Sequence, residues 1–346
     1  MDYSCTGFLL PLTLTVNDAC PMNQLLNAFT LFLSLMVEAL PFLLMGVALS
    51  GCLLLFVDDR QFVKLMPKHP IWGALAGSAL GFLLPVCECG NIPIARRLVT
   101  QGAPLSVAIG FLLAAPTINP IVIWATWTAF REQPEVVVWR VILSLLVATA
   151  VGAIFSVQKD PRPLLQARVA LALPVPYKAD PVAITGNYWL GHAQPIESLV
   201  IEPPTLTKQP LKVKLIALLD NTINEMKQLG AVLIFGSAVA AAVQVWVPRE
   251  VVLSLGQGQV SSIVSMMILA TIVSICSTVD AFFALAFAGT FTTGSLLSFL
   301  VFGPMIDLKG VALMLTVLQK KAVIYLFLLA GLFTFWFSLL INLYLY

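Results

Sequence analysis

Charge is what this sequence has least of. Asp, Glu, Lys and Arg make up 10% of its 346 residues, where a soluble globular domain carries about 25%. So few charges cannot cover a water-facing surface. With 59% of the residues hydrophobic and a mean hydropathy of +0.95, most of the surface must meet lipid. A net charge of +2 is uninformative, and no basic run points to nucleic acid. Six cysteines are too few for a disulfide framework in a chain of this length. His69 and His192 fall in loops and carry no assigned role. No Walker motif is present, so the chain has no ATP site of its own. Met1 to Cys20 contains no Lys or Arg, so it lacks the basic region of a signal peptide and reads as a mature extracytoplasmic tail over residues 1–24. Cys5 and Cys20 in that tail either pair in an oxidising compartment or stay as free thiols.

What is present in quantity is apolar sequence. Stretches of about 17–25 apolar residues are long enough to cross a bilayer. The candidates are Leu25–Val57 (kinked or split at Pro41), Ile71–Val86, the short Ile92–Thr100, Leu105–Phe130 and Val136–Val157, then Val213–Val247, Val260–Cys276, Val279–Phe291, Leu296–Gln319 and Ala322–Tyr346. They predict an all-α integral membrane protein of about ten segments, divided into a first membrane repeat (25–157) and a second (213–346). Between them, residues 158–212 are rich in proline and read as a linker without its own core.

The halves align at a period of roughly 190 residues. Leu40–Gly46 falls opposite Gly230–Gly236, Pro85-Val86-Cys87 opposite Ser274-Ile275-Cys276, and Ala115–Pro120 opposite Gly303–Leu308. Lys and Arg concentrate in cytoplasmic loops. Placing Arg60, Lys64 and Lys68, the linker's Lys159, Arg162, Arg168, Lys178, Lys208 and Lys212, and Lys320-Lys321 all inside requires an odd number of crossings per half. Both termini are then extracytoplasmic and the linker cytoplasmic. The halves insert in opposite senses, the inverted-topology plan of many secondary transporters, whose sites lie near the midplane on broken or re-entrant helices. Eight full crossings with re-entrant pieces fit nearly as well.

The most informative segment is Pro85-Val-Cys-Glu-Cys-Gly-Asn-Ile-Pro93. Cys87 and Cys89 flank Glu88 where an apolar span ends, and Gly90 and Pro93 stop the helix. Backbone freed at membrane depth is tolerated only when buried in protein or lining a wet cavity. Thiolates are soft ligands for Cu(I), zinc or thiophilic metalloids. Two thiols do not complete a site, and the alignment offers Cys276 as the third, which makes Cys87, Cys89 and Cys276 the expected metal-contacting set. Buried cysteine is also an ordinary small hydrophobe.

Other expected transport-site residues are Asn91, Arg96, Glu38, Pro116, Asn119, Asp280 and Asp307. Arg96-Arg97 either face a cavity, with Glu88 as partner, or snorkel to water. Pro116 and Asn119-Pro120 interrupt a long span, and Asp307 is the carboxylate opposite Asn119. Glu38 lies inside the first span, and buried carboxylates are functional candidates by default. Asp280 is either another of these or a helix N-cap.

Pro85, Cys87, Cys89, Gly90 and Pro93, followed by Gly102-Ala103-Pro104 and by Pro116 with Asn119-Pro120, resemble the ArsP/YraQ-like predicted permeases, two-half bacterial membrane proteins. The resemblance covers the chain apart from tail and linker. It implies efflux of trivalent organoarsenicals or of metal ions across the plasma membrane, with Cys87 and Cys89 touching the substrate. Glu88 between the cysteines, and Arg96-Arg97 after them, depart from the small or neutral residues common in that family and suggest another soft or charged solute. The expected function is therefore a secondary permease rather than an enzyme, without a resident cofactor, carrying a small inorganic or organometallic solute as a monomer or homo-oligomer in the bilayer. The competing readings are a membrane thiol oxidoreductase, for which a one-residue spacer is a strained arrangement, and a channel or metal-handling assembly subunit.

Overall fold

The computed structural model describes residues 21–56, 66–67, 69–84, 86–158, 161–171, 173, 211–246 and 258–344. The expected tail with Cys5 and Cys20, most of the linker, Pro85, Arg60, Lys64 and Lys68 lie outside the described residues. Within them the fold is all α. The first half runs α1 (Pro21–Phe56), α2 (Pro70–Leu83), α3 (Asn91–Thr100), α4 (Leu105–Ile118), α5 (Pro120–Ala129) and α6 (Pro134–Phe155). After a 3₁₀ turn and the short α7 (Ala167–Leu171), the second half runs α8 (Leu211–Trp246), α9 (Gln259–Val273), α10 (Asp280–Leu285), α11 (Thr293–Met305), α12 (Leu308–Met314) and α13 (Lys320–Tyr344). Each half thus presents a 36-residue helix, a shorter apolar helix, a turn into a short helix, a broken pair and a closing helix.

The ten expected segments resolve into six helical stretches long and apolar enough to cross a membrane, in α1, α4–α5, α6, α8, α11–α12 and α13. The remaining four are too short. Helices α2 and α9 have 14 and 15 residues and rise about 21–23 Å, short of the hydrocarbon core of about 30 Å. Helices α3 and α10 are shorter still.

The broken stretches are the core. Of the residues in their most apolar windows, 83% are buried in Leu105–Ala129 and 78% in Thr293–Met314, against 28% in both Leu25–Gly51 and Lys320–Tyr344. Exposed Val37, Leu83, Phe235 and Leu328 form part of the apolar exterior. The breaks fall within the expected segments, though at neither Pro116 nor Pro304 itself. Pro116 lies inside α4 and Pro304 inside α11, and the chain turns at Asn119 and at Ile306-Asp307.

The first residues of the linker are docked rather than free. Leu165 pairs with Leu318 in an isolated antiparallel bridge, and Gln166 Nε2 donates to the carbonyls of Leu315 (2.9 Å) and Leu318 (3.2 Å). Leu165 and Val169 are fully covered. The start of the linker and the turn before α13 therefore lie at the same end of the molecule.

Candidate functional site

Two turns of the same construction meet in the core. After α2, the amides of Gly90 and Asn91 both donate to Cys87 O at 3.1 Å. After α9, the amides of Val279 and Asp280 donate to Cys276 O at 2.9 and 3.1 Å. The chain reverses at each cysteine, and Ser274 takes a left-handed backbone (φ 45°) to enter the second turn. The first turn is pressed against α1. A Cβ on Gly46 would overlap the Gly90 carbonyl, and one on Gly90 would come within 2.7 Å of Phe42 O. Glycine at both positions lets the turn sit against the middle of a membrane-crossing helix.

Pro116 shapes the same region. It has no N–H, which frees the carbonyl four residues earlier. That carbonyl, Leu112 O, accepts a 2.8 Å hydrogen bond from Asn91 Nδ2, so the proline in α4 anchors the residue that begins α3. Asn119 caps α5 by accepting from Val122 N (2.8 Å) and donates to Val86 O (3.4 Å) and Ala115 O (3.2 Å). In the second half, Asp307 caps α12 by accepting from Gly310 N at 2.7 Å. Both residues join a broken span by the same local bond.

The side chains that converge are Cys87, Glu88 and Cys276, whose ligating atoms lie within 4.8 Å of one another. All are buried, at 4%, 5% and 2% exposure. The Cys87 thiol also neighbours Cys89, while Cys89 stands outside the mutually close set. Of the expected three thiols, Cys87 and Cys276 fall in the mutually close set, joined there by Glu88, and Cys89 stands next to Cys87. Alternate residues share a face in an extended strand, but Cys87 to Gly90 form a turn, and Glu88 rather than Cys89 is carried towards Cys276.

Lys309, which sequence reasoning passed over, completes the cluster. Its Nζ lies 3.8 Å from Glu88 Oε1 and 4.0 Å from Asp307 Oδ2, and its side chain is 1% exposed. Glu88 Oε2 and Asp307 Oδ2 have no hydrogen-bond partner. Glu38 on α1, half-buried, is within electrostatic reach of Glu88 and Lys309. The cluster is occluded. An apolar cleft lined by Ile92, Leu112 and Met314 opens between α3, α4 and the end of α12.

Two expected site residues lie elsewhere. Arg96 does not pair with Glu88: half-exposed, it donates to Gln228 Oε1 on α8 at 3.4 Å. Asp280 is held by Arg140, with Nη2 to Oδ2 at 2.6 Å and Nη1 to Oδ1 at 3.1 Å, and Arg140 Nη1 also donates to Thr126 Oγ1 at 2.8 Å. Arg140 sits within the long apolar α6 and is itself 1% exposed. A lone arginine in a membrane-length helix was the signal that could have found it, because such a charge needs an internal partner.

A family model described as a predicted permease, ArsP_1, matches residues 24–343. The chain is 38% identical over 304 residues to the UPF0718 protein YcgR of Bacillus subtilis, covering 88% of this chain and 93% of that one. It is 32% identical over 302 residues to a putative two-component membrane permease complex subunit of Streptococcus mutans, covering 87% and 90%. No solved structure matches.

Proposed function

We propose that this chain, which belongs to the ArsP_1 family of predicted permeases, is a secondary permease of the plasma membrane that exports a soft metal or metalloid species through Cys87, Glu88 and Cys276. The observation that carries this reading is the convergence of two thiols and a carboxylate at a buried point where two chain reversals meet, one from each half. Sulfur and carboxylate donors together suit a soft cation or a thiophilic metalloid. Export is the direction that the resemblance to organoarsenical and metal-ion efflux permeases implies.

The proposed topology has three crossings in each half, α1, α4–α5 and α6, then α8, α11–α12 and α13. Helices α2–α3 and α9–α10 are re-entrant excursions from opposite sides, which makes the halves inverted repeats. This keeps the linker, Arg96-Arg97 and Lys320-Lys321 inside and both termini outside, in line with the positive-inside rule. The docking of Leu165 on Leu318 agrees with it, since both then lie on the cytoplasmic side. The occluded cluster corresponds to a state between the two open ones. The name of the Streptococcus relative, a subunit of a two-component complex, adds the proposal that a second component joins this chain.

Flux of Ag(I) and of trivalent antimony into proteoliposomes tests the reading. Cys87→Ser and Cys276→Ser are expected to lose flux at least about tenfold, as removal of one of three donors should, with Cys89→Ser affected less. Undiminished flux in both Cys87→Ser and Cys276→Ser, or no thiol-dependent flux in the unaltered protein, would sink it.

A further inference from the structure

We propose that Lys309 is a tethered counter-cation, shared between Glu88 and Asp307 in the empty site, and that a soft cation binds Cys87, Glu88 and Cys276 by driving its ammonium wholly onto Asp307. This inference rests on the transport-site reading above and names the sign of the substrate's charge and the internal competitor it must move.

The distances set the starting point. At 3.8 and 4.0 Å the Lys309 ammonium is close to both carboxylates, yet beyond the 2.7–3.2 Å of an N–H···O bond (about 2.9 Å at its most frequent). It is held by charge between them and fully bonded to neither. Glu88 Oε2 and Asp307 Oδ2 remain without hydrogen-bond partners, although buried carboxylate oxygens normally find them. The arrangement has bonding capacity left on both sides of the lysine.

Charge then selects the occupant. Two carboxylates face one ammonium in a region shielded from water, so the ionised cluster is one positive charge short, or two short when half-buried Glu38 is counted. Uncompensated buried charge is costly. A soft cation supplies positive charge, and the two sulfurs take it as thiolates, their protons passing to solvent as it binds. Only Glu88 among the two carboxylates lies with the thiols, so the cation takes Glu88 and repels the ammonium beside it. Asp307 is fixed by its bond from Gly310 N and offers its unpartnered Oδ2 as the place to which a flexible lysine side chain withdraws. Release reverses the exchange: Lys309 returns to Glu88 and expels the cargo.

The test is a titration of the purified full chain with Ag(I), with Cys5, Cys20 and Cys52 changed to serine so that the core thiols dominate. Lys309→Met removes the competitor and is expected to bind Ag(I) about tenfold more tightly, with slower release and lower flux, because a like charge close to the cation is gone. Asp307→Asn keeps the helix cap, which asparagine serves as well as aspartate, but removes the refuge; it is expected to bind about tenfold more weakly. In the Lys309→Met background the Asp307→Asn change should add little, since its effect runs through the lysine. A Lys309→Met protein that binds no more tightly, or more weakly as for an anionic cargo, overturns the proposal. Should that variant not fold, an unchanged affinity in Asp307→Asn overturns it alone. If Ag(I) affinity in the otherwise unaltered chain is indifferent to Cys87→Ser and Cys276→Ser, the transport site itself is wrong, and the counter-cation falls with it.

Discussion

Two buried ionic clusters tie the first half of the chain to the second, and they are built to opposite rules. Arg140 grips Asp280 with two bonds and spends a third contact on Thr126. One positive charge meets one negative charge, and both carboxylate oxygens are bonded. Around Glu88 the same kinds of group stay apart, with one ammonium between two carboxylates at 3.8 and 4.0 Å, unpartnered oxygens, and two thiols alongside. A bidentate pair whose two carboxylate oxygens are both bonded, with only Arg140 Nε left over, offers no acceptor to a cation and serves as scaffold. An unsaturated cluster of the same charges is a site waiting for a cation. The scaffold also supports the site, because Asp280 closes the turn that presents Cys276, its amide donating to the Cys276 carbonyl.

The strongest way to break this contrast is Arg140→Ala. It strands a buried carboxylate and should cost about 3–5 kcal/mol, read as loss of folded protein in thermal unfolding in detergent. Replacing both partners with leucine should recover most of that stability, since the pair is weak evidence for net stabilisation. If the single change is as mild as the double one, the pair is not a scaffold. Gly90→Val comes next. Its side chain would collide with Phe42 O and the first turn, at about 1–3 kcal/mol for overpacking, and flux should fall with stability.

Smaller effects separate site from scaffold. Asp307→Ala removes a helix cap and should lower stability by about 1 kcal/mol, whereas Asp307→Asn should not; equal unfolding midpoints for the two would deny the cap its role. Cys87→Ser should cost about 1 kcal/mol, the usual size of a single substitution, while abolishing thiol-dependent Ag(I) binding. A large stability loss there would make the cysteine a core residue. Arg96→Ala, at a half-exposed contact, should stay within about 0.5 kcal/mol, and a severe flux defect would return it to the pathway.

Much of this was readable before folding. The membrane class follows from composition, and the turns at Cys87 and Cys276 follow from Gly90, Pro93 and the alignment of the halves. The paired breaks at Asn119 and Asp307 were legible too, displaced by a few residues because a helix tolerates a proline whose orphaned carbonyl finds another donor, as Leu112 O does in Asn91. Lys309 and Arg140 were not legible. Arg140 looks like an isolated charge in an apolar run, its ionic partner Asp280 lying in the other half, and Lys309 looks paired with Asp307 alone, its second partner Glu88 lying in the first half.

The sequence by itself determined that the chain lives in lipid and where its helices must stop, because hydropathy and the backbone limits of glycine and proline are local and additive. Only the tertiary structure decided which residues make the site. Whether Cys89 or Glu88 turns towards Cys276, and whether Glu88 meets Arg96 or Lys309, depends on side-chain direction in a turn and on how two distant halves pack. No local pattern carries that information.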